Sequence, residues 1–276
     1  MMLSEKNTVQ EPLIRYAEQA GWSYLTSSDA RSMRKGESGM IFSQILAEKL
    51  KKFNSGLITD ENVNEVIRRI ESERNNIEGN ASILAMMRGE KSIFDQREKR
   101  QRNIAFIDYG TPDNNDFHVT DEWSFTNGQN TNRVDIVFLI NGIPVAIVET
   151  KSAKKQDGMD QALLQMRRYH RETPELVTSA QLFNITSLIE FLYGVTWCLD
   201  GENSFRWKAG TELDINRKVP QGDKKNENSQ PDSASSAAGN SFENKVKTFF
   251  DRRNFLLMLK EWILFYYKDD ELRKTV

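Results

Sequence analysis

Residues 132–152 read NRVDIVFLINGIPVAIVETKS, and the fold turns on them. Two apolar runs, Arg133–Ile140 (RVDIVFLI) and Ile143–Thr150 (IPVAIVET), flank the pair Asn141-Gly142. Both runs are apolar on alternate and intervening positions alike, the pattern of central strands covered by helices on both faces. Asn-Gly between such runs is a strong hairpin signal. Three ionisable side chains break the apolar pattern. Asp135 sits near the start of the first strand, and Glu149 and Lys151 stand one residue apart on the second, so that they share a face. Charges at the ends of oily strands are costly unless they are paired or hold an ion.

Whether Asp135 meets Glu149 depends on register. Residues opposite one another in an antiparallel pair have position numbers of constant sum and share a face. A two-residue Asn141-Gly142 turn pairs Ile140 with Ile143 and sets Asp135 against Val148. A three-residue loop through Ile143 pairs Ile140 with Pro144 and sets Asp135 against Glu149. A shared metal ion therefore requires the longer loop or a β-bulge, and the residues alone force neither.

Working outward, Gly158–Glu172 has helical spacing, with Met159, Leu163, Met166 and His170 on one stripe. Gln181–Ile185 and Gly194–Leu199 read as later strands. Upstream, Asn103–Tyr109 and Asp116–Phe125 alternate as strands do. The first part reads as helical to about residue 95: Thr8–Ala20 stopped by Gly21, then Gly39–Phe53, a helix from Thr59-Asp60, and another from Asn80. Residues 216–240 hold no aromatic side chain and one large aliphatic, Val219, and read as a flexible insert. Phe242–Tyr267 reads as a helix or helix pair so apolar that it calls for a packing partner.

The composition limits the chemistry. The 276 residues carry 38 basic and 40 acidic side chains, a formal charge of −2, so any affinity for nucleic acid must come from local patches. One cysteine, Cys198, excludes a disulfide framework and a Cys-rich zinc site, and two histidines, His118 and His170, are too few for a His-based metal centre. Both histidines read as packing or surface residues, and Cys198 as a buried apolar one. No run approaches the roughly 20 apolar residues that span a bilayer, and the N-terminus has no signal-peptide core. A cytoplasmic enzyme or binding protein without membrane attachment is expected.

A hard carboxylate pair, Asp135 and Glu149, suits Mg²⁺. An adjacent lysine, Lys151, suits the positioning or deprotonation of an attacking water and the offset of charge on phosphorus. Metal-assisted phosphodiester hydrolysis is the reaction such a set serves. Two basic stretches accompany it. Lys151–Arg171 holds six basic residues (among them Lys154, Lys155, Arg167 and Arg168) against two acidic ones, and Lys91–Arg102 (KSIFDQREKRQR) holds five against two. Beside a nuclease site the first reads as a phosphate-contacting rim; alone, either is an ordinary solvated surface.

Asp135 followed by Glu149-Thr150-Lys151 resembles the D…ExK signature of the PD-(D/E)xK nuclease superfamily. Taken with Gln165 and Tyr169 on the next helix, residues 132–171 are similar to the nuclease domain of the restriction (R) subunit of type I restriction-modification enzymes, whose members carry a Q-x-x-x-Y element there. The resemblance covers about residues 8–210. One departure is Val134, where the family has proline, a position that supplies backbone geometry and no ligand.

The resemblance implies an α/β (α+β) restriction-endonuclease-like core: a mixed, largely antiparallel sheet flanked by helices, with a helical insertion at about 28–95. It implies a nuclease domain over 1–210, a linker over 211–240, and an apolar helical segment over 241–276. Asp135 and Glu149 would hold Mg²⁺, with the Thr150 backbone carbonyl as a further ligand. Lys151 would be the catalytic lysine, and Gln165 and Tyr169 would support the site or touch DNA. Glu11 is the candidate for a first-helix glutamate reaching the metal through water, although Thr8-Val9-Gln10-Glu11 equally fits a capping box. The implied activity is cleavage of double-stranded DNA alongside modification and specificity subunits. The chain has no GxxxxGK[ST] loop, so ATP-driven translocation would belong to a part of a longer polypeptide outside it. A different repair or recombination nuclease of the same superfamily, and a non-catalytic DNA-binding or assembly module, fit the same residues.

Overall fold

The computed structural model describes residues 6–153, 157–199, 204–208 and 234–276. A π turn over Lys6–Gln10 runs into α1 (Glu11–Gln19), followed by β1 (Ser23–Leu25), α2 (Ser27–Met33), α3 (Ser43–Phe53), α4 (Val63–Glu71) and α5 (Ile77–Met87). Capping side chains start two of these helices: Thr26 accepts from Asp29 N at 3.1 Å and Asn76 from Gly79 N at 3.0 Å. A small hairpin, β2 (Ser92–Asp95) and β3 (Arg100–Asn103), comes next. The central strands β4 (Phe117–Thr126), β5 (Thr131–Ile140) and β6 (Ile143–Thr150) lead into α6 (Gly158–Glu172) and α7 (Glu175–Thr178). Then follow β7 (Leu182–Thr186), β8 (Phe191–Val195), β9 (Ser204–Arg206), α8 (Ala234–Phe249), α9 (Arg252–Leu257) and a terminal hairpin, β10 (Leu264–Lys268) and β11 (Glu271–Thr275).

Seven strands form one mixed sheet in the order β1-β4-β5-β6-β7-β8-β9. Only β1/β4 and β6/β7 are parallel, and the other neighbours run antiparallel. The expected α/β architecture, a largely antiparallel sheet between helices, is what the chain adopts. Ile136, Phe138, Ile140 and Val148 face one apolar core with α1, α3, α4, α5 and the C-terminal helices. Val137, Leu139 and Ile147 face a second core with Ala162, Met166 and Tyr169 of α6. Both faces of β5 and β6 are thus covered, which is why neither strand shows polar alternation.

Asn141-Gly142 makes the tight turn: Asn141 has φ 52° and Gly142 φ 82°, the left-handed pair of a type I′ turn. Gly142 is required twice over, because a Cβ there would lie 2.7 Å from the Phe42 carbonyl oxygen. Ile140 pairs with Ile143 and Leu139 with Pro144, but Phe138 pairs with Ala146 and Ile136 with Val148. Val145 is therefore an extra residue, a β-bulge. Continued outward, the shifted count sets Asp135 against Glu149. The turn is the short one, and the bulge supplies the offset.

The structure corrects several expectations. The helical block ends at Met87, not near 95, and the strand expected over Asn103–Tyr109 is displaced into the 92–103 hairpin. Side-chain amides satisfy the backbone just beyond it: Asn54 bonds both Ala105 N and Ala105 O at 2.8 Å, Asn141 donates to Phe106 O, and Asn115 accepts from Asp108 N. Groups satisfied in this way need no ladder. The helix expected over Phe242–Tyr267 stops at Trp262, and Leu264–Lys268 pairs with Glu271–Thr275 through Asp269-Asp270, both at positive φ. Nor do the C-terminal helices lack a partner. Phe249, Phe250, Phe255 and Leu259 are fully buried against the sheet, with the Phe250 ring stacked on Phe138 at 3.8 Å between centroids. α8 begins at Ala234, inside the 211–240 stretch read as a linker, and residues 209–233 lie outside the described part. No helix among the described residues is long and apolar enough to cross a membrane.

Candidate active site

The open end of the β5–β6 pair, beyond the bulge, gathers the residues singled out by sequence. Glu149 is wholly buried at the end of β6 and Lys151 is nearly so just beyond it. Lys151 Nζ lies 3.4 Å from Glu149 Oε2 and donates to Gln165 Oε1 at 3.3 Å. Gln165 Nε2 donates to the Tyr169 hydroxyl at 2.6 Å, and that hydroxyl lies 2.7 Å from both Glu149 Oε1 and the Arg133 carbonyl oxygen. Gln165 and Tyr169, one turn apart on α6, thus clasp the lysine and the carboxylate from above. Thr173 N closes on Tyr169 O at the end of the same helix.

Asp135 is fixed from the other side. Its Oδ2 accepts from Thr150 N at 2.8 Å and from the Thr150 hydroxyl at 2.9 Å. Asp135 Oδ1 accepts no hydrogen bond from the described residues. Sequence reasoning gave Thr150 only a backbone-carbonyl role, whereas its N–H and hydroxyl are what hold Asp135. A threonine between the Glu and the Lys of the signature was the available signal. The Arg133 carbonyl left none, since any residue presents one. Across β4, Glu122 takes φ 51° between the pairs Asp121–Ile136 and Trp123–Val134, and forms an ion pair with Arg133. The β4 backbone is therefore irregular directly across from Asp135, where the ladder skips one pair without changing register.

Burial and the neighbouring Asp135 charge together push the Glu149 carboxyl up from 4.5 to about 8, against the opposing pull of Lys151 and Tyr169. Burial and Glu149 likewise raise the Tyr169 phenol, which stays neutral as a hydrogen-bonding group. A buried acid destabilised by a second acid is a site that gains from a bound cation. The donors present, two carboxylates and no thiolate or imidazole, are hard oxygens suited to Mg²⁺. The residues fit the ion to that extent.

The remaining candidates are distributed otherwise. No group of three or more His, Cys, Asp or Glu side chains suited to a metal occurs among the described residues, so Glu11 is not brought to the Asp135–Glu149 pair. It is exposed at the first position of α1, where Gln10 occupies the cap position without a side-chain cap bond. Thr8 lies within the π turn, Lys6–Gln10, that precedes α1. Arg167 and Arg168 are exposed on α6, Arg167 donating to Leu199 O at 3.1 Å and Arg168 lying 3.9 Å from Glu172. Lys154 and Lys155 lie outside the described residues. His170 is a packing residue: Trp197 N donates to its Nε2 at 3.0 Å, its Nδ1 meets Met166 O at 2.8 Å, and burial lowers it to about 4. A cavity of about 250 Å³ opens beside Lys151, lined by Ser152, Gly158, Met159, Ser187 and Ile189.

Two carboxylates beside a lysine form a set of donors able to hold a hard cation, and comparisons with known proteins place the chain in a family. The family described as the N terminus of the type I restriction enzyme R protein matches residues 2–196. A Methanocaldococcus jannaschii protein named as the MjaIXP type I restriction enzyme endonuclease subunit is 27% identical over 223 residues, covering 77% of this chain and 21% of the relative. The MjaVIIIP endonuclease subunit of the same organism is 29% identical over 199 residues, 69% of this chain and 18% of the relative. Its MjaVIIP endonuclease subunit is 36% identical over 100 residues, 36% of this chain and 9% of the relative. The chain spans about a fifth or less of the length of these relatives. With the family match covering most of its residues, the chain belongs to the type I restriction enzyme R protein N-terminal family.

Proposed function

We propose that this chain is the nuclease part of a type I restriction enzyme R subunit, a PD-(D/E)xK enzyme that cleaves double-stranded DNA with Mg²⁺. The observation that carries the reading is the bulged register, which sets Asp135 against Glu149 while Lys151 is held between Glu149 and Gln165. Asp135 and Glu149 would hold the ion, with the Thr150 carbonyl as a further oxygen. When bound, Mg²⁺ supplies Lewis-acid polarisation of the phosphate and acidification of a water.

The chain's own residues do the rest. Thr150 fixes Asp135, so its free oxygen keeps one direction. Tyr169 fixes Glu149 through Oε1, leaving Oε2 beside Lys151. Gln165 aims the ammonium group, whose charge offsets that building on phosphorus in the transition state. Burial of Glu149 and Lys151 strengthens these interactions by excluding water. In this reading the ATP-driven translocase lies elsewhere in a longer polypeptide, and modification and specificity subunits recognise the DNA sequence.

Asp135→Ala, Glu149→Ala and Lys151→Ala, each placed in the assembled restriction complex, test the proposal. Plasmid cleavage should fall by at least a hundredfold in each, while DNA binding and ATP hydrolysis stay near wild type. Cleavage at the wild-type rate in any one of the three refutes it.

A further inference from the structure

The β2–β3 hairpin is a strongly basic projection that the active site does not use. Its twelve residues, Lys91–Arg102, carry a net charge of +3 in a chain whose total is −2. The pairs Ser92–Asn103, Ile93–Arg102, Phe94–Gln101 and Asp95–Arg100 divide it into two faces. Ile93 packs on the main core, and Asp95, on the same face, is buried. Asp95 builds the tip: Oδ1 accepts from Arg97 N at 2.8 Å and Glu98 N at 3.2 Å, while Oδ2 pairs with Arg102 at 2.9 Å. Lys99 completes the turn at φ 53°.

The other face, Ser92, Phe94, Gln101 and Asn103, contains no acid, and Phe94 is 47% exposed there. Arg100 and Arg102 are matched by Glu98 and Asp95. Lys91, Arg97 and Lys99 form no ion pair with any described carboxylate, although the charge of Arg97 reaches the exposed Glu61. A two-stranded hairpin adds little to a core. Here a buried aspartate pre-shapes a tip whose cations remain available.

We propose that this hairpin is a second DNA-contacting element, with Arg97 and Lys99 on the phosphate backbone of duplex DNA and Phe94, Gln101 and Asn103 along its groove. A polyanion is the occupant favoured by charge. An exposed aromatic ring flanked by amides suits sugar and base edges better than it suits an acidic protein surface. The contact is separate from the cleavage centre. The hairpin is rooted by Ile104 N on Lys91 O, close to Phe106, whose carbonyl is bound by Asn141 of the β5–β6 turn. That turn lies six residues from Asp135, roughly 20 Å along the strand at about 3.3 Å per residue. The proposal rests on the reading of the chain as a DNA nuclease, but its test needs no cleavage.

The test is fluorescence anisotropy of a labelled 30-base-pair duplex with the full chain carrying Lys151→Ala, titrated at several salt concentrations. Arg97→Gln/Lys99→Gln should lower the magnitude of the log K against log salt slope by about 1.8, two phosphates at about 0.9 each. Phe94→Ala should weaken binding several-fold without moving the slope, and Lys260→Gln, a surface control paired with Glu261, should change neither. Thermal unfolding confirms that these exposed substitutions leave the fold intact. A double variant with the wild-type slope overturns the proposal, as does loss of subunit assembly with DNA binding unchanged. Failure of the parent chain to bind the duplex at all overturns the DNA reading as well, and so distinguishes the two.

Discussion

Glu149→Gln isolates the tension stored at the site when no cation is bound. In the fold the carboxyl is pushed from 4.5 to about 8 by burial and by Asp135. Between those pH values the folded chain holds a proton that the unfolded chain has released, so folding stability falls as pH rises. The contribution is complete below about 4.5 and lost above about 8. At about 1.4 kcal/mol per tenfold change in proton affinity, the loss approaches about 5 kcal/mol. For a chain of this size that corresponds to a fall in Tm on the order of 10 °C. His170 acts with the opposite sign, since burial lowers it to about 4 and its contribution grows as pH rises toward 6.5. The informative quantity is therefore the difference between wild type and Glu149→Gln, followed by urea or thermal unfolding at pH 5, 6.5 and 8 in EDTA. The variant should gain on the wild type steadily over that range. Mg²⁺ should stabilise the wild type more at pH 8 than at pH 5 and leave the variant nearly unchanged. Parallel pH profiles for the two proteins refute the reasoning, because Glu149 would then be an ordinary carboxylate.

Two further perturbations reach the supports of the site and of the sheet. Tyr169→Phe deletes the hydroxyl shared by Gln165, Glu149 and the Arg133 carbonyl; it should cost about 1–3 kcal/mol in urea unfolding and reduce cleavage in the complex at least tenfold with DNA affinity unchanged. Lys274→Met empties a buried cage in which the ammonium contacts Asn80 Oδ1 at 2.6 Å and Gln181 O and Oε1 at 2.9 Å. Replacing a buried charge with an apolar chain can be neutral or stabilising when its partners go too. Here the oxygens stay behind, and a loss of about 3 kcal/mol in denaturant unfolding is expected.

The hairpin at residues 133–150 was legible because its signals are local: two apolar runs, an Asn-Gly turn, and charges spaced by strand periodicity. Helix α6 was legible for the same reason, and its bounds were read as Gly158–Glu172, as found. What escaped depended on partners far away in sequence. Nothing near Ala105 reveals that Asn54 will take both its N–H and its carbonyl, so an alternating stretch was read as a strand. Leu264–Lys268 (LFYYK) continues an apolar run that helical spacing fits as well, and only its pairing with Glu271–Thr275 decides the matter. At the site, the residue types were readable but the register was not, because a bulge is a packing choice. The residue that bears on Asp135, Thr150, was hidden by the assumption that its carbonyl was the useful part.

The extra residue at Val145 also separates two demands that a regular ladder would tie together. The turn can keep the shortest loop, which closes quickly and tolerates only a narrow set of residues, while the far end of the strands counts on a different phase. A lengthening of the loop by one residue could be absorbed by loss of the bulge, with Asp135 and Glu149 still abreast. A deletion of one residue between the bulge and Val148 would be absorbed in the same way, the two-residue turn then running into a regular ladder that still ends with Asp135 opposite Glu149. Evolution can thus retune the turn and the chemistry independently, with the bulge as the slack between them.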